Sequence, residues 1–464
     1  MQRLLAIAGL TWKAAFRFRL FLVLAALLLA SVVGLPLLIE DDGTPRGFTQ
    51  ILLTYTLSTI TGLLGFATLW LSCGTLARDI EECQMQVLAT KPVARWQIWL
   101  GKWIGIMSLN AALLALAGAS VYGLLQWRAA HLPAAEQSVL RSQVLIARGA
   151  AGQADQSAAI DAETDRELAD RLKASPDQQA NLAEVRKEIR TQVQAGLEIV
   201  PPNSVRQWQI DLGHPRSYFG NLPMQLRVKF NTSGASSSST FDGLWQFGEA
   251  GSTNFWPQEQ PLALNMSPDT FHEIDIPANL CDASGRLTIL FMNPNATTLS
   301  FPVADGIQVL YPEGGFALNY ARGLGIIWCW LALLTALGLT AASFLSFPVA
   351  AFFSVGILIV GLSSGTISDA VDNGTVAAGN DETGVAGYSG ADIVLIPVFK
   401  AVLVVINLAE DYSPIDDLST GRAIPWSELG AAFAQIVLLL GGVIGLAGIL
   451  LFNRRELATA QGTQ

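Results

Sequence analysis

The residue types that most often carry chemistry are few and dispersed in this chain. The three histidines, His131, His214 and His272, stand far apart, and the four cysteines, Cys73, Cys83, Cys281 and Cys329, form no CxxC pair. Such spacing supplies neither a zinc site nor a disulfide framework. There is no GxxxxGK[ST] phosphate loop: Gly101-Lys102 is followed by Trp103 and opens an apolar run. No Ser-His-Asp or Cys-His arrangement falls in soluble sequence. Asp369, Asp372, Asp381, Glu382 and Asp392 suggest calcium, but their spacing does not follow an EF-hand loop, and a solvated acidic loop is the simpler reading. The chain is therefore expected not to be an enzyme and to hold no metal or cofactor of its own.

The densest set of candidate functional side chains lies in a mixed-charge segment, 77–102, reading ARDIEECQMQVLATKPVARWQIWLGK. It contains Asp79, Glu81, Glu82, Leu88, Pro92, Arg95 and Lys102. Charges of both signs on an amphipathic segment suit docking against another protein's surface; an ordinary basic loop is the alternative. A second set is a run of hydroxyls, Thr54, Tyr55, Thr56, Ser58, Thr59 and Thr61, inside an apolar stretch. Hydroxyls there line a polar substrate path or join helices to one another. No Asp, Glu, Lys or Arg occupies the middle of a candidate membrane span. Ion-coupled transporters retain such costly residues for function, so their absence argues against that class.

The elements that must position these residues are membrane helices. Of 464 residues 51% are hydrophobic and only 14% charged, and the mean hydropathy is +0.41. Apolar residues gather in runs of about 20, the length that spans the hydrocarbon core as a helix. Six candidate spans result: 20–39, 50–72, 103–125, 324–344, 349–362 and 429–452. The fifth is short and extends back through Phe347-Pro348, since proline fits a first helical turn. The first run is too long for a signal-peptide core and is followed by Glu40-Asp41-Asp42, so it reads as a retained span. Residues 1–19 show helical apolar spacing with basic residues between, which predicts an amphipathic helix lying in the membrane interface.

Lys and Arg near span ends set orientation. Arg3, Lys13, Arg17 and Arg19 precede the first span, Arg78, Lys91, Arg95 and Lys102 lie between the second and third, and Arg454 and Arg455 follow the sixth. With six spans all three groups are cytoplasmic, so both termini are expected inside a plasma (inner) membrane. The apolar segment 393–408 threatens the count; it reads as an outer-face helix or re-entrant element rather than a seventh span. The net charge of −10 gives no nucleic-acid footprint. Ten of the acidic residues sit in the outer loop 366–428, against Lys400 and Arg422.

The larger outer region changes period along its length. Over 128–198 the composition is helical; Leu182, Val185, Ile189, Val193 and Leu197 form one stripe, with partners expected at Leu140, Val144, Ile160, Leu168 and Leu172. Ser175-Pro176-Asp177-Gln178 looks like a capping box, and Gly149–Gly152 a break. The result is a helical hairpin, a stalk or a spacer. Over 199–320 the period is two, as in Met224, Leu226 and Val228, Leu287, Ile289 and Phe291, and Ile307, Val309 and Tyr311. Turn signals separate such runs, which predicts a β-sandwich. Its aromatic residues, Trp208, Trp245, Phe247, Phe255 and Trp256, suit either a carbohydrate platform or a core.

The membrane part resembles the ABC-2 type transporter permeases, over about 1–127 and 320–464. The resemblance rests on the acidic Asp79, Glu81 and Glu82, then Val87-Leu88, Pro92-Val93-Ala94-Arg95 and Gly101-Lys102. Ile424-Pro425-Trp426 and the ending Phe452-Asn453-Arg454-Arg455-Glu456-Leu457 resemble the family as well. It implies a permease subunit of an ATP-driven exporter with six transmembrane helices. Its partners would be a separate cytoplasmic ATPase holding ATP and Mg, and a second permease copy or paralogue. Segment 77–102 would be the coupling loop, between an N-terminal part, 1–127, and spans four to six in 321–464. The insertion of about 190 residues after the third span departs from simple members and leaves the cargo open. Two other readings remain: a membrane-anchored envelope binding or sensing protein using the β-sandwich, and a mechanotransmitting permease whose helical hairpin moves while nothing crosses the bilayer.

Overall fold

The computed structural model describes residues 2–17, 20–38, 44–82, 93–154, 156–174, 182–219, 224–232, 240–249, 254–303, 305–363, 365, 367–368, 371, 392–410 and 412–455. They form two compact units, one of residues 1–146 and 315–464, the other Ala147–Gly314.

The first unit is helical. Helix α1 spans Gln2–Arg17, α2 Leu20–Leu38, α3 Pro45–Glu81, α4 Arg95–His131 and α5 Ala134–Gln143. After the second unit come α8, Phe316–Phe344, and α9, Phe347–Leu362, then α10, Asp392–Glu410, and α11, Pro414–Thr420. The last, α12, runs Trp426–Arg454 and contains a π-helical stretch, Phe433–Gly441. Four of these, α3, α4, α8 and α12, are long and apolar enough to cross a membrane. The first and fifth expected spans form shorter apolar helices, Leu22–Leu35 and Phe347–Gly361. Pro348 sits in the first turn of α9, where its missing N–H costs nothing. Segment 393–408 is helical, within α10.

At 37 residues each, α3 and α4 extend about 55 Å at 1.5 Å per residue. That exceeds the ~30 Å hydrocarbon core, so their ends carry charge outside it. Helix α8 is central: it packs on α3, α4 and α12 around one apolar core. Small residues set the close approaches. A Cβ on Gly338 of α8 would meet Ser72 of α3 at 2.7 Å, and one on Gly118 of α4 would meet Leu324 of α8 at 2.5 Å.

Helix α1 forms over the expected residues and packs on the bundle with one side. Ile7, Ala8, Thr11 and Ala15 are buried, and the first three pack on Gly101 and Gly105 of α4. A Cβ at either glycine would lie 2.8 Å from Ile7 or Thr11, and the Trp12 indole donates to Ser108 at 2.7 Å. The pairing advances in the same direction along both helices, so α1 runs beside the first turns of α4. The Gly101-x-x-x-Gly105 groove permits this approach.

The second unit contains two long helices, short helical turns at Arg216–Phe219 and Ala278–Leu280, and twelve strands among the described residues, counting β1, which begins at Ile146. Helices α6, Ser157–Ala174, and α7, Leu182–Glu198, pair through Asp161–Arg190 at 3.0 Å and Asp165–Arg186 at 2.9 Å. Ile160, Leu168 and Ile189 are buried, whereas Leu140 and Val144 join the core of the helical unit instead. The break expected at Gly149–Gly152 is a strand: β1, Ile146–Gly152, lies on one edge of a sheet ordered β1-β12-β4-β9. Its other strands are β12, Ile307–Gly315, β4, Met224–Val228, and β9, His272–Ile276. Gly149 is required there because a Cβ would fall 2.6 Å from the Tyr311 ring. The capping-box segment Ser175–Gln178 lies outside the described residues.

The second large sheet holds β3, Val205–Asp211, β10, Arg286–Met292, β6, Phe241–Gly248, β7, Phe255–Trp256, and β8, Leu262–Met266. Inward residues of both sheets, among them Leu226, Val228, Ile289 and Val309, share one core in a sandwich-like arrangement. A small third sheet pairs β11, Leu299–Ser300, with β2, Ile199–Val200, and β5, Asn231–Thr232. Asn293, fully buried, donates to the carbonyls of Val200, Pro201 and Thr297 and so joins strand ends that lie far apart in sequence. The other face of β4 is covered as well. Arg148 pairs with Glu273 at 3.1 Å and donates to Gln225, which in turn donates to Asp275 at 2.7 Å.

Candidate functional site

The charged residues around 77–102 converge on the helix ends at one end of the helical unit. Two of them, Glu81 and Arg95, meet groups that a helix terminus leaves unsatisfied. Lys102, only 7% exposed, donates to Asp79 Oδ2 at 2.5 Å and to the Thr75 carbonyl at 2.8 Å, tying α4 to α3. Glu81 Oε1 accepts from the Phe347 amide at 2.9 Å. Ser346, the residue before α9, makes no side-chain cap, so the carboxylate from α3 takes that role. It also sits at the positive end of the α9 dipole. Arg78 lies 4.6 Å over the Phe347 ring, so the last turn of α3 holds the first turn of α9 twice.

Arg95 does the converse for α12. Its Nη1 donates to the carbonyls of Phe452, Asn453 and Arg455 at 2.8–2.9 Å. A guanidinium at a helix C-terminus satisfies orphan carbonyls and opposes the dipole. Arg455 repeats the device on α8, donating to Ala342 at 3.3 Å and Ser343 at 3.2 Å. The two flanks of segment 83–92 are thus bonded to α9 and α12, and through Arg455 to α8. Glu82 is exposed at the end of α3. Leu88 and Pro92, with Cys83 and Lys91, lie outside the described residues.

Sequence reasoning placed Asp79, Glu81, Arg95 and Lys102 in one loop and missed that Glu81 and Arg95 cap other helices while Lys102 and Asp79 join α4 to α3. Arg455, three residues beyond the last apolar run, reads in the sequence only for orientation and the family ending and not as a contact to α8. The hydroxyl set divides. Tyr55, 57% exposed, and Ser58 lie on the outer surface of the helical unit. Thr54 and Thr61 are half-buried, and Thr56 is spent on the Leu52 carbonyl at 2.5 Å. Only Thr61 keeps its oxygen inside the helical unit, without a partner among the described residues.

Among the described residues no cluster of His, Cys, Asp or Glu could hold a metal. Cys73, Cys281 and Cys329 are buried and in no disulfide among the described residues. Asp369, Asp372, Asp381 and Glu382 lie outside the described residues, and nothing is described of the Asp392 side chain. In the β unit Trp208, Trp245 and Phe247 are core residues, which removes them from any carbohydrate platform; Phe255 and Trp256 are half-buried. Burial pushes the Cys281 thiol up, away from nucleophilic use. No family model, curated protein or solved structure matches the chain.

Proposed function

We propose that this chain is the membrane-spanning permease subunit of an ABC-2 type ATP-driven exporter. The observation that carries the reading is the set of charge contacts flanking segment 83–92. A coupling loop must convert a push from outside the membrane into movement of several spans, which requires that it grip their ends. Lys102 ties α4 to α3, Glu81 ties α3 to α9, Arg95 ties α4 to α12, and Arg455 ties the end of α12 to that of α8. Six apolar helices, four long and two shorter, and the three basic groups support a six-span arrangement with cytoplasmic termini in a plasma (inner) membrane. The β unit and its helix pair then lie outside, and α10 belongs to the outer face. ATP and Mg reside on a separate cytoplasmic ATPase, and a second permease copy or paralogue completes the assembly. The buried Trp208 and Trp245 weigh against the sensing alternative.

The test is purification from native membranes in gentle detergent, of the unaltered protein and of Glu82→Lys and Arg95→Ala. An ATPase that accompanies the unaltered chain and is lost from Glu82→Lys, at unchanged melting temperature, supports the proposal. Absence of any ATPase under the gentlest detergents refutes it.

A further inference from the structure

The middle of α8 is surrounded by hydrogen-bonding groups that have no partner among the described residues: Asn110 Nδ2, Thr68 Oγ1 and Thr61 Oγ1. Thr68 is 1% exposed and Asn110 3%. All three face α8. Asn110 shares its side of α4 with Met107 and Gly118, whose neighbours on α8 are Trp328 and Thr335, and Leu324. Thr61 and Thr68 share theirs with Gly65 and Ser72 of α3, which meet Leu334 and Gly338. The three groups therefore gather around residues 324–338 of α8, at mid-height of the helical bundle.

Other polar groups along these seams are satisfied. Trp103 donates to the Ala332 carbonyl at 3.2 Å, Trp328 to that of Met107 at 3.2 Å, and Thr335 to that of Leu331 at 2.7 Å. A buried donor without an acceptor is costly, and more so where no solvent competes. Ordinary helix packing removes such groups or pairs them. Unpaired groups are retained at a site when a second arrangement uses them. Their chemistry states what would use them. An amide N–H donates, and hydroxyls donate or accept. The stretch of α3, α4 and α8 around them contains no Asp, Glu, Lys or Arg.

We propose that Asn110, Thr68 and Thr61 form an intramembrane recognition site for the uncharged, oxygen-rich part of a cargo, a carbonyl, hydroxyl or ether group, exposed when α3 and α4 part around α8. The proposal rests on the permease reading and names the cargo class that reading leaves open. It also moves the polar path off Tyr55 and Ser58, which are exposed, to the inner faces of α3 and α4, keeping Thr61. Asn110 escaped sequence reasoning because a single amide barely alters the hydropathy of a span.

The test uses the full-length protein in native membranes, with alkylation counted above the unsubstituted chain. Thr68→Cys is treated with iodoacetamide, a neutral amide, and with iodoacetate, its anionic counterpart, each rate scaled to free cysteine. Leu28→Cys, equally buried on α2, is the control. The expected result is labelling of Thr68→Cys by iodoacetamide several-fold faster than by iodoacetate and several-fold faster than Leu28→Cys. Adding Asn110→Leu should abolish the preference while raising the melting temperature, because an unpaired buried donor is removed. Equal rates for the two reagents, labelling no faster than the control, or a preference that survives Asn110→Leu overturns the site. Co-purification of an ATPase is scored separately. With the ATPase present and no preferential labelling, the site fails and the permease stands; with preferential labelling and no ATPase, the site stands and the permease fails.

Discussion

Replacing Lys102 or Asp79 tests whether the contact between α3 and α4 is an integral part of the bundle or an incidental surface pair. Exposed ion pairs contribute about 0–1 kcal/mol. This one is different: the Lys102 side chain is 9% exposed and that of Asp79 25%, with a 2.5 Å contact and the Thr75 carbonyl as second acceptor. Breaking a buried pair by removing one partner costs about 3–5 kcal/mol, since the other charge stays behind uncompensated. The burial asymmetry orders the variants. Asp79→Asn leaves the more deeply buried ammonium unpaired and should cost about 3–4 kcal/mol. Lys102→Met leaves the more exposed carboxylate and should cost less, about 2 kcal/mol. The double variant strands no charge and should lie near or below the milder single one, with a coupling of about 3–4 kcal/mol. Thermal unfolding in detergent, followed by tryptophan fluorescence, reads this as a fall of roughly 6–12 °C for Asp79→Asn. Additive single effects, or a coupling below about 0.5 kcal/mol, would refute the reasoning.

Three further outcomes are expected. Gly105→Val places side-chain atoms where Thr11 and Ala8 now pack, so α1 should leave α4, and brief trypsin treatment should cut at Lys13 where the unaltered chain resists. Trp245→Ala empties the centre of the β unit, where the indole stacks among Phe247, Phe291 and Phe301; a loss of about 3–5 kcal/mol by denaturant unfolding is expected. The Arg286 amide, then the Ser284 hydroxyl, hold the Asp282 carboxyl below its ordinary value of 3.8. A depressed folded-state value contributes stability present above the unfolded pKa and lost as pH falls through the folded one. The stability that Asp282 contributes should therefore fall away as pH drops below about 3.8 and be missing from Asp282→Asn, the effect being small because the carboxyl is exposed.

Local chemistry was legible in the sequence because its cause is local. Twenty-residue apolar runs announced the membrane helices, and period-two runs such as Leu287, Ile289 and Phe291 announced strands whose side chains do point inward. Gly285 in the turn after Asp282 follows from sequence too: its φ of +89° is one that only glycine adopts easily, and a Cβ there would strike the His214 carbonyl. Span length was less legible, since α9 at 16 residues falls below the usual crossing length and its role depends on what surrounds it.

What tertiary structure decided is which partner each polar group met. A sequence lists Glu81, Arg95 and Arg455 as charges beside spans, a pattern that serves topology equally well. Their acceptors and donors, the Phe347 amide, the Phe452 carbonyl and the Ala342 carbonyl, are backbone groups between 113 and 357 residues away. Every residue carries such groups, so they leave no trace in side-chain pattern. The same holds for the Gly101 and Gly105 groove that draws α1 onto α4, and for Asn110 and Thr68, which only the packing around α8 reveals as buried and unpaired. Periodicity reports which face of an element avoids water; hydrogen bonding across the fold depends on distance, and distance is set only when the helices have packed.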